Sequence, residues 1–291
     1  DSLDGLSRLD IKIGQMIMVG INERTELATD DTLRKDLKYM CGGIILFEKN
    51  ISRTSSAEYL QKLISELQSE AGSPLFMAID EEGGKVHRLK EKYGFAAMPS
   101  AAATGAMPPD STYTYAYRLA TQLKTLGFNL NFAPVVDLAI NPDNPIIAKV
   151  NRSYSASAET VTSHSMAFIK AHKQHGLITT VKHFPGHGSS SSDTHKDMVN
   201  VTRTWQIKEL TPYARMIDSG LCDAVLSCHV LNCRLDTACI PSTLSRIVNT
   251  DLLREVLGFN GVIFSDDMQM YAISKHYGME KAVAMAINSG V

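Results

Sequence analysis

The chain has 291 residues, of which 44% are hydrophobic and 21% are charged, which is typical of a globular protein with one large domain or two small ones. Its formal net charge is −2, with acidic and basic residues interspersed, so we expect no binding to nucleic acid or to an anionic membrane surface. No apolar run approaches the roughly 18 residues of a membrane-spanning helix, so no membrane span is expected.

Short apolar, β-branched runs recur along the chain and predict seven strands. These runs are Gln15–Val19, Gly43–Phe47, Leu75–Asp80, Asn129–Asp137, Ile178–Phe184, Ala224–Val230 and Val262–Asp266. Most of them are near-continuous hydrophobic runs, as is typical of parallel strands that are buried on both faces.

Segments with apolar residues three and four positions apart separate these runs and predict helices. One contains Tyr59, Leu60, Leu63, Ile64 and Leu67 and follows the cap-type residues Thr54 to Ser56. The others are Thr32–Tyr39, Thr112–Leu126, Glu159–His175, Ile207–Ser219, Ser245–Leu257 and Met279–Asn288. Alternation of strand and helix predicts parallel βαβ units.

The number and size of these units predict an α/β fold, a (β/α)8 TIM-type barrel forming a single domain over residues 1–291. Eight repeats normally take about 250 residues. The last residues, Ser289-Gly290-Val291, have the pattern of a lead-in to an eighth strand, so we expect the natural protein to continue past this chain. An open seven-stranded sheet is the alternative, but it would leave two long exposed edges.

Barrel enzymes place their catalytic groups at the carboxyl ends of strands and in the loops that follow. Three connections are unusually long, namely Glu81–Ser111, Leu138–Ala156 and Pro185–Thr204. We therefore expect functional residues in these three loops.

The third of these loops is rich in glycine and serine, which alone would indicate a surface loop. It nevertheless follows Lys182 and His183 and contains His187, Asp193 and His195. An aspartate two residues from a histidine can hold one ring nitrogen while the other faces a substrate, which is the arrangement of an acid–base dyad. A zinc site built from the loop histidines is an alternative, but the pair of histidines here spans a Pro-Gly turn rather than a helix.

A second candidate group is Asp266-Asp267, where the seventh apolar run ends. Asp267 is the better candidate for a helix cap. Asp266 is then placed at the carboxyl rim of the barrel, where a carboxylate can attack an anomeric carbon and form a glycosyl-enzyme intermediate.

Several motifs together resemble family 3 glycoside hydrolases, specifically their β-N-acetylglucosaminidase branch, which includes bacterial cell-wall recycling enzymes. The run Lys182-His183-Phe184-Pro185-Gly186-His187-Gly188 followed by Asp193-Thr194-His195 resembles the loop that distinguishes this branch, and Ser265-Asp266 resembles the nucleophile motif. The run Ile79-Asp80-Glu81-Glu82-Gly83-Gly84-Lys85-Val86-His87-Arg88 and the segments Asn131–Asp137 and Asn151-Arg152-Ser153-Tyr154 resemble other family segments.

The resemblance implies an exo-acting enzyme that hydrolyses terminal β-linked N-acetylglucosamine with retention and without a cofactor. The implied nucleophile is Asp266, and the implied acid–base is His195, oriented by Asp193. The implied substrate-binding residues are Asp80, Arg88, Arg152, Lys182, His183 and His229. A salt bridge to Glu81 or Glu82 would explain Arg88 equally well, and a buried structural histidine would explain His229 equally well.

Three alternatives use the same residues or the same loop. A histidine in place of a second carboxylate tolerates an anionic acceptor, so a β-N-acetylglucosaminide phosphorylase is one alternative. A metal-dependent barrel hydrolase and a non-catalytic glycan-binding protein are the others. For the phosphorylase and for the hydrolase of the main hypothesis, the expected partner is an N-acetylglucosamine-containing glycan. The sequence predicts no oligomeric state.

Five cysteines, Cys41, Cys222, Cys228, Cys233 and Cys239, show no C-x-x-C spacing. Buried free thiols are the first expectation, and a Cys228–Cys239 disulfide in an exported form is the alternative. The chain begins at Asp1, which fits a processed, periplasmic or exported bacterial protein, while a cytoplasmic location is equally consistent with the sequence.

Overall fold

The computed structural model describes residues 7–23, 30–39 and 41–291, in which seven parallel strands form one sheet. The strands are β1 (Met18–Gly20), β2 (Gly43–Leu46), β3 (Phe76–Ile79), β4 (Leu130–Asn131), β5 (Ile178–Phe184), β6 (Ala224–Ser227) and β7 (Val262–Ser265). Each strand pairs with the next one along the sequence. A separate parallel pair joins Val199–Asn200 to Val230–Leu231.

Helices follow the strands. They are α1 (Arg8–Gly14), α2 (Asp31–Tyr39), α3 (Ser56–Glu70), α4 (Ala101–Gly105), α5 (Pro109–Leu126), α6 (Ala158–Lys173), α7 (Thr211–Asp218), a π-helix (Ile247–Val256), α8 (Tyr271–Tyr277) and α9 (Met279–Ser289). Short 3₁₀ turns occur at Glu48–Asn50, Glu91–Tyr93, Ile207–Leu210 and Ser242–Leu244. No helix in the described ranges has the length and apolar character to cross a membrane.

The sheet is curled, as shown by side chains from distant strands that meet in its interior. The ring of Phe264 on β7 lies 5.7 Å from the ring of Phe76 on β3 and 5.2 Å from that of Phe132, which follows β4, both in edge-on geometry. An open sheet would keep the third and seventh strands far apart. The chain therefore has the TIM-type barrel architecture predicted from its sequence rather than the open sheet. No strand in the described part of the chain pairs with the outer edge of β1 or β7, and the eighth strand expected after Val291 stays a prediction.

Helix α3 shows how a helix of the outer layer buries one apolar face against the sheet. In α3 the buried residues Leu60, Leu63, Ile64 and Leu67 are spaced three, one and three positions apart, so they lie on one side of the helix. Burying one leucine contributes about 1.5–3 kcal/mol. This face joins the core beneath the first four strands, and a second core covers β5 to β7.

The fourth strand is shorter than predicted, because only Leu130–Asn131 of the predicted Asn129–Asp137 keeps regular pairing. Pro134 has no N–H to donate to a sheet. The chain nevertheless continues beside β5, with Val136 N–H donating to the Lys182 carbonyl at 2.7 Å. This path carries Asp137 to the end of β5.

Candidate active site

The candidate catalytic and binding side chains lie where the barrel strands end. Asp80 follows β3, Lys182 and His183 are at the end of β5, His229 follows β6 and Asp266 follows β7. Because parallel barrel strands end at the same face, these side chains share one mouth of the barrel.

The three long connections carry further candidate residues. Glu82 and Arg88 lie in the connection after β3, Arg152 in that after β4, and Asp193 and His195 in that after β5.

An ionic cluster occupies the part of the mouth between β3 and β5. Lys182 Nζ lies 3.0 Å from Asp80 Oδ1 and 2.7 Å from Glu82 Oε1. Arg152 donates to both oxygens of Glu82, at 2.8 and 2.7 Å, and Arg88 Nη2 donates to Asp80 Oδ2 at 3.3 Å. Three cations thus surround two carboxylates, and together they present charged donors and acceptors suited to sugar hydroxyls.

The charges of this cluster stabilise one another. Burial acts to raise the pKa of Glu82, but Arg152 and Lys182 hold it well below its usual range. Burial acts to lower the pKa of Lys182, but Asp80 and Glu82 raise it. Glu82 and Lys182 therefore both stay charged at neutral pH.

The contacts of Arg88 differ from the salt bridge that offered an alternative explanation for it. Its guanidinium binds Asp80, while its backbone N–H donates to Glu81 at 2.5 Å. Glu81 is fully buried and contacts the backbone of Arg88. The guanidinium of Arg88 therefore pairs with Asp80, a candidate site residue, and not with Glu81.

His183 is oriented by Asp137, a buried carboxylate at the end of the fourth-strand segment. His183 Nδ1 lies 2.6 Å from Asp137 Oδ2, and Arg152 Nη2 lies 3.3 Å from His183 Nε2. A carboxylate accepts and a guanidinium donates, so these partners assign the hydrogen to Nδ1 and a lone pair to Nε2. Burial acts to raise the pKa of Asp137, but His183 and His187 lower it.

Asp266 lies next to the cationic side of the site. Its backbone N–H donates to the Ser227 carbonyl at 2.9 Å, and its Oδ1 accepts the backbone N–H of Asp267 at 2.9 Å. Burial acts to raise its pKa, but His229, His183 and Lys182 lower it below the usual range. The carboxylate is therefore ionised at neutral pH, as a nucleophile must be.

His229 is buried next to the segment that carries Asp266, and its predicted substrate-binding role stays a prediction. The residue is fully buried, its Nδ1 pairs with Thr243 Oγ1 at 2.8 Å, and its Nε2 pairs with the Asp267 carbonyl at 2.9 Å. Both ring nitrogens are thus occupied within the protein. The partner of Nε2 is the carbonyl of the residue after Asp266, so His229 contacts the backbone near that carboxylate.

Asp193 and His195 form the hydrogen-bonded pair that their spacing predicted. His195 Nδ1 lies 2.7 Å from Asp193 Oδ1, which also accepts the backbone N–H of His195 at 2.9 Å. The His195 side chain is 65% exposed, and its Nε2 has no protein partner among the described residues. The loop that carries the pair contacts the segment that follows β7, since the Ala272 N–H donates to the Thr194 carbonyl at 3.4 Å.

The ring of His187 is held by hydroxyl groups of its own loop. His187 is buried, which lowers its pKa to about 4, and its ring pairs with Ser190 Oγ at 2.7 Å and Thr194 Oγ1 at 3.4 Å. In the described part of the chain, no three histidine, cysteine or carboxylate side chains are grouped as metal ligands.

Glu82 and Asp137 belong to the candidate site but were not among the residues predicted from the sequence. Glu82 lies in the segment that carries Asp80 and Arg88, and Asp137 ends the fourth apolar run. Asp137 could have been predicted, because it is a carboxylate at the end of a buried apolar run. The partner of Glu82 is 70 residues away, so local spacing could not assign it.

Comparison with known proteins agrees with this geometry. Residues 8–291 match the family model described as the glycosyl hydrolase family 3 N terminal domain. The chain therefore belongs to glycoside hydrolase family 3. Its curated relatives include a "Beta-hexosaminidase" of Tolumonas auensis, 33% identical over 255 residues that cover 86% of this chain and 73% of that protein.

Other relatives are longer than this chain. "Beta-hexosaminidase A" of Pseudoalteromonas piscicida is 32% identical over 273 residues, which are 87% of this chain but 45% of that protein. A solved family 3 β-N-acetylglucosaminidase from Paenibacillus sp. superposes with a TM-score of 0.90 at 36% identity, covering 98% of this chain and 54% of that one. A β-N-acetylhexosaminidase from Beutenbergia cavernae superposes with a TM-score of 0.86 at 29% identity, covering 98% and 86%.

Proposed function

We propose that this chain is the catalytic barrel of a retaining, exo-acting β-N-acetylglucosaminidase. The observation that carries the proposal is that Asp266 follows β7, and the loop with the hydrogen-bonded Asp193–His195 pair contacts the segment just after it, at the Ala272 N–H. The names of the family 3 relatives support N-acetylglucosamine as the sugar.

Substrate binding is assigned to the ionic cluster. Asp80 accepts hydrogen bonds from pyranose hydroxyls, while Arg88, Arg152 and Lys182 donate to ring substituents with charge-assisted strength. His183 contributes its Nε2 lone pair, which Arg152 contacts in the structure. The cluster is mutually paired, so sugar binding exchanges protein contacts for sugar contacts without leaving a buried charge alone.

In the first chemical step, Asp266 attacks the anomeric carbon and the bond from that carbon to the leaving oxygen breaks. The protonated His195 gives its Nε2 proton to that oxygen. In the second step, His195 Nε2 takes a proton from water, the oxygen of that water attacks the anomeric carbon, and the ester to Asp266 breaks. Two inversions leave the β configuration unchanged. Asp193 holds Nδ1 in both steps and stabilises the imidazolium.

The proposal is tested with 4-nitrophenyl N-acetyl-β-glucosaminide and the matching β-glucoside, each with and without phosphate. We expect turnover of the N-acetylglucosaminide, little turnover of the glucoside, and no acceleration by phosphate. Asp266→Ala should abolish turnover. Unchanged activity in this variant would contradict the nucleophile assignment.

We further propose an exported or periplasmic location, supported by a cysteine pairing that differs from both sequence expectations. Cys233 is bonded to Cys239, while Cys228 is buried and free. Disulfides persist mainly in oxidising compartments. Peptide mapping of the unreduced protein isolated from its source should show the Cys233–Cys239 bridge. Alkylated thiols at both positions would contradict the proposal.

A further inference from the structure

Glu209 is a buried carboxyl group that the proposed chemistry does not use. It is 1% exposed, and burial raises its pKa to about 7. Its Oε1 accepts the backbone N–H of Gln206 at 3.0 Å. Its Oε2 is buried and has no hydrogen-bond partner among the described residues.

The free oxygen of Glu209 lies against the backbone that leaves β5. Gly186 has a φ of +127°, and a Cβ added to it would lie 2.7 Å from Glu209 Oε2. The Ser189 hydroxyl and the Gly188 N–H both act to lower the pKa of Glu209, so they lie within its reach. Ser189 Oγ is itself buried without a well-formed partner.

The backbone in contact with Glu209 is the base of the loop that carries Asp193 and His195. On its other side, Asp137 accepts the backbone N–H of His187 at 2.8 Å. Trp205 Nε1 donates to the Pro185 carbonyl at 3.0 Å. The loop base is thus held between the Asp137 carboxylate, which also orients His183, and the segment that contains Trp205 and Glu209.

A purely local role for Glu209 would be to cap the turn at Gln206, and this role needs only Oε1. It does not explain why the second oxygen is buried against Gly186. We propose that Glu209 is a positioning residue, which holds the base of the acid–base loop so that His195 reaches the leaving oxygen. The inference rests on the proposed function of His195.

The test compares variants on two substrates that differ only in how much their leaving group needs a proton. These are the 2,4-dinitrophenyl and the 4-methoxyphenyl N-acetyl-β-glucosaminides, and the quantity measured is kcat/KM. Displacing a catalytic group by about 1 Å costs on the order of 100-fold. We expect Glu209→Ala to lose roughly 10- to 100-fold on the methoxyphenyl substrate and less than about threefold on the dinitrophenyl substrate.

Glu209→Gln is the matched conservative variant, because an amide reproduces the shape and neutrality of the protonated carboxyl. We expect it to stay within about threefold of the wild type on both substrates at pH 6, where Glu209 with a pKa of about 7 is mostly neutral. Ser189→Ala removes the hydroxyl group beside Glu209 without removing the carboxyl and should show the same selective loss to a smaller degree. It keeps the test decisive if Glu209→Ala does not fold.

Equal losses on both substrates in Glu209→Ala and Ser189→Ala, or wild-type rates in both variants, would overturn the positioning role. Failure of the proposed function has a different signature, because the wild type itself would then turn over neither substrate.

Discussion

His195 is the residue whose proposed role depends most on its surroundings, because its ring lies exposed on a loop and only Nδ1 is held by the protein. The Asp193 contact at 2.7 Å fixes which nitrogen faces outward. The pairing was predictable from the two-residue spacing. The partners of Lys182 were not, because Asp80 lies 102 residues away in the sequence, and pairs this distant meet only through the fold.

Removing the imidazole with His195→Ala should affect substrates in proportion to their need for a proton. General acid catalysis contributes about 100- to 10,000-fold, so kcat/KM should fall by this order for 4-methoxyphenyl N-acetyl-β-glucosaminide. It should fall far less for the 2,4-dinitrophenyl analogue, because dinitrophenolate leaves without a proton. Equal losses for the two substrates would show that His195 is not the general acid.

Glu209 should also make the stability of the protein depend on pH. Its pKa is about 7 in the folded protein against a reference value of 4.5, so its contribution is fully present below pH 4.5 and is lost as the pH rises through 7. Relative to Glu209→Gln, the wild type should lose about 2–3 kcal/mol of unfolding free energy between pH 4.5 and 8. Asp137 acts to raise the pKa of Glu209, and it is present in both proteins.

Urea unfolding of the two proteins at several pH values measures this difference directly. Other carboxylates shift both curves equally, so they cancel in the comparison. A difference that stays constant from pH 4.5 to 8 would contradict the raised pKa of Glu209.

At the scale of elements, the apolar runs located the strands well, because parallel strands buried on both faces leave little freedom in composition. The elements missed were short or atypical. The seven-residue helices α1 and α8 carry few buried side chains, so they lack a clear apolar period. The predicted Ile207–Ser219 helix divides into a 3₁₀ turn and α7, with Pro212 in the first turn of α7.

The acid–base loop is held at its tip as well as at its base. His276 Nε2 on α8 lies 3.0 Å from Asp197 Oδ1, and the Ala272 N–H donates to the Thr194 carbonyl at 3.4 Å. Because α8 closely follows Asp266, these contacts connect the proposed acid–base loop with the segment that carries the proposed nucleophile. No pattern in the sequence indicated this connection.

At the scale of the whole molecule, the curl of the sheet depends on large side chains that meet in its interior. Phe132, which follows β4, is 5% exposed and packs on Phe264 of β7 across the interior. Phe132→Ala should reduce the unfolding free energy by about 3–5 kcal/mol, as is usual when a buried aromatic side chain is removed. Val256→Ala is the control, because Val256 is 74% exposed and should change stability by less than about 0.5 kcal/mol.

Chemical denaturation measures both variants. If Phe132→Ala were as stable as Val256→Ala, the aromatic contact would not contribute to the stability of the core. The sequence predicted the barrel from the repetition of its units, but it could not identify which side chains meet across the interior, since these come from different strands.

The most direct test of the proposed mechanism is to trap the glycosyl-enzyme. A 5-fluoro N-acetyl-β-glucosaminyl fluoride forms the covalent intermediate quickly and releases it slowly, and mass spectrometry of a protease digest then locates the sugar. We expect one equivalent of sugar attached to the peptide that contains Asp266, and none in Asp266→Ala. Attachment to a different carboxylate, or turnover of the fluoride without any covalent sugar, would contradict Asp266 as the nucleophile of a retaining glycosidase.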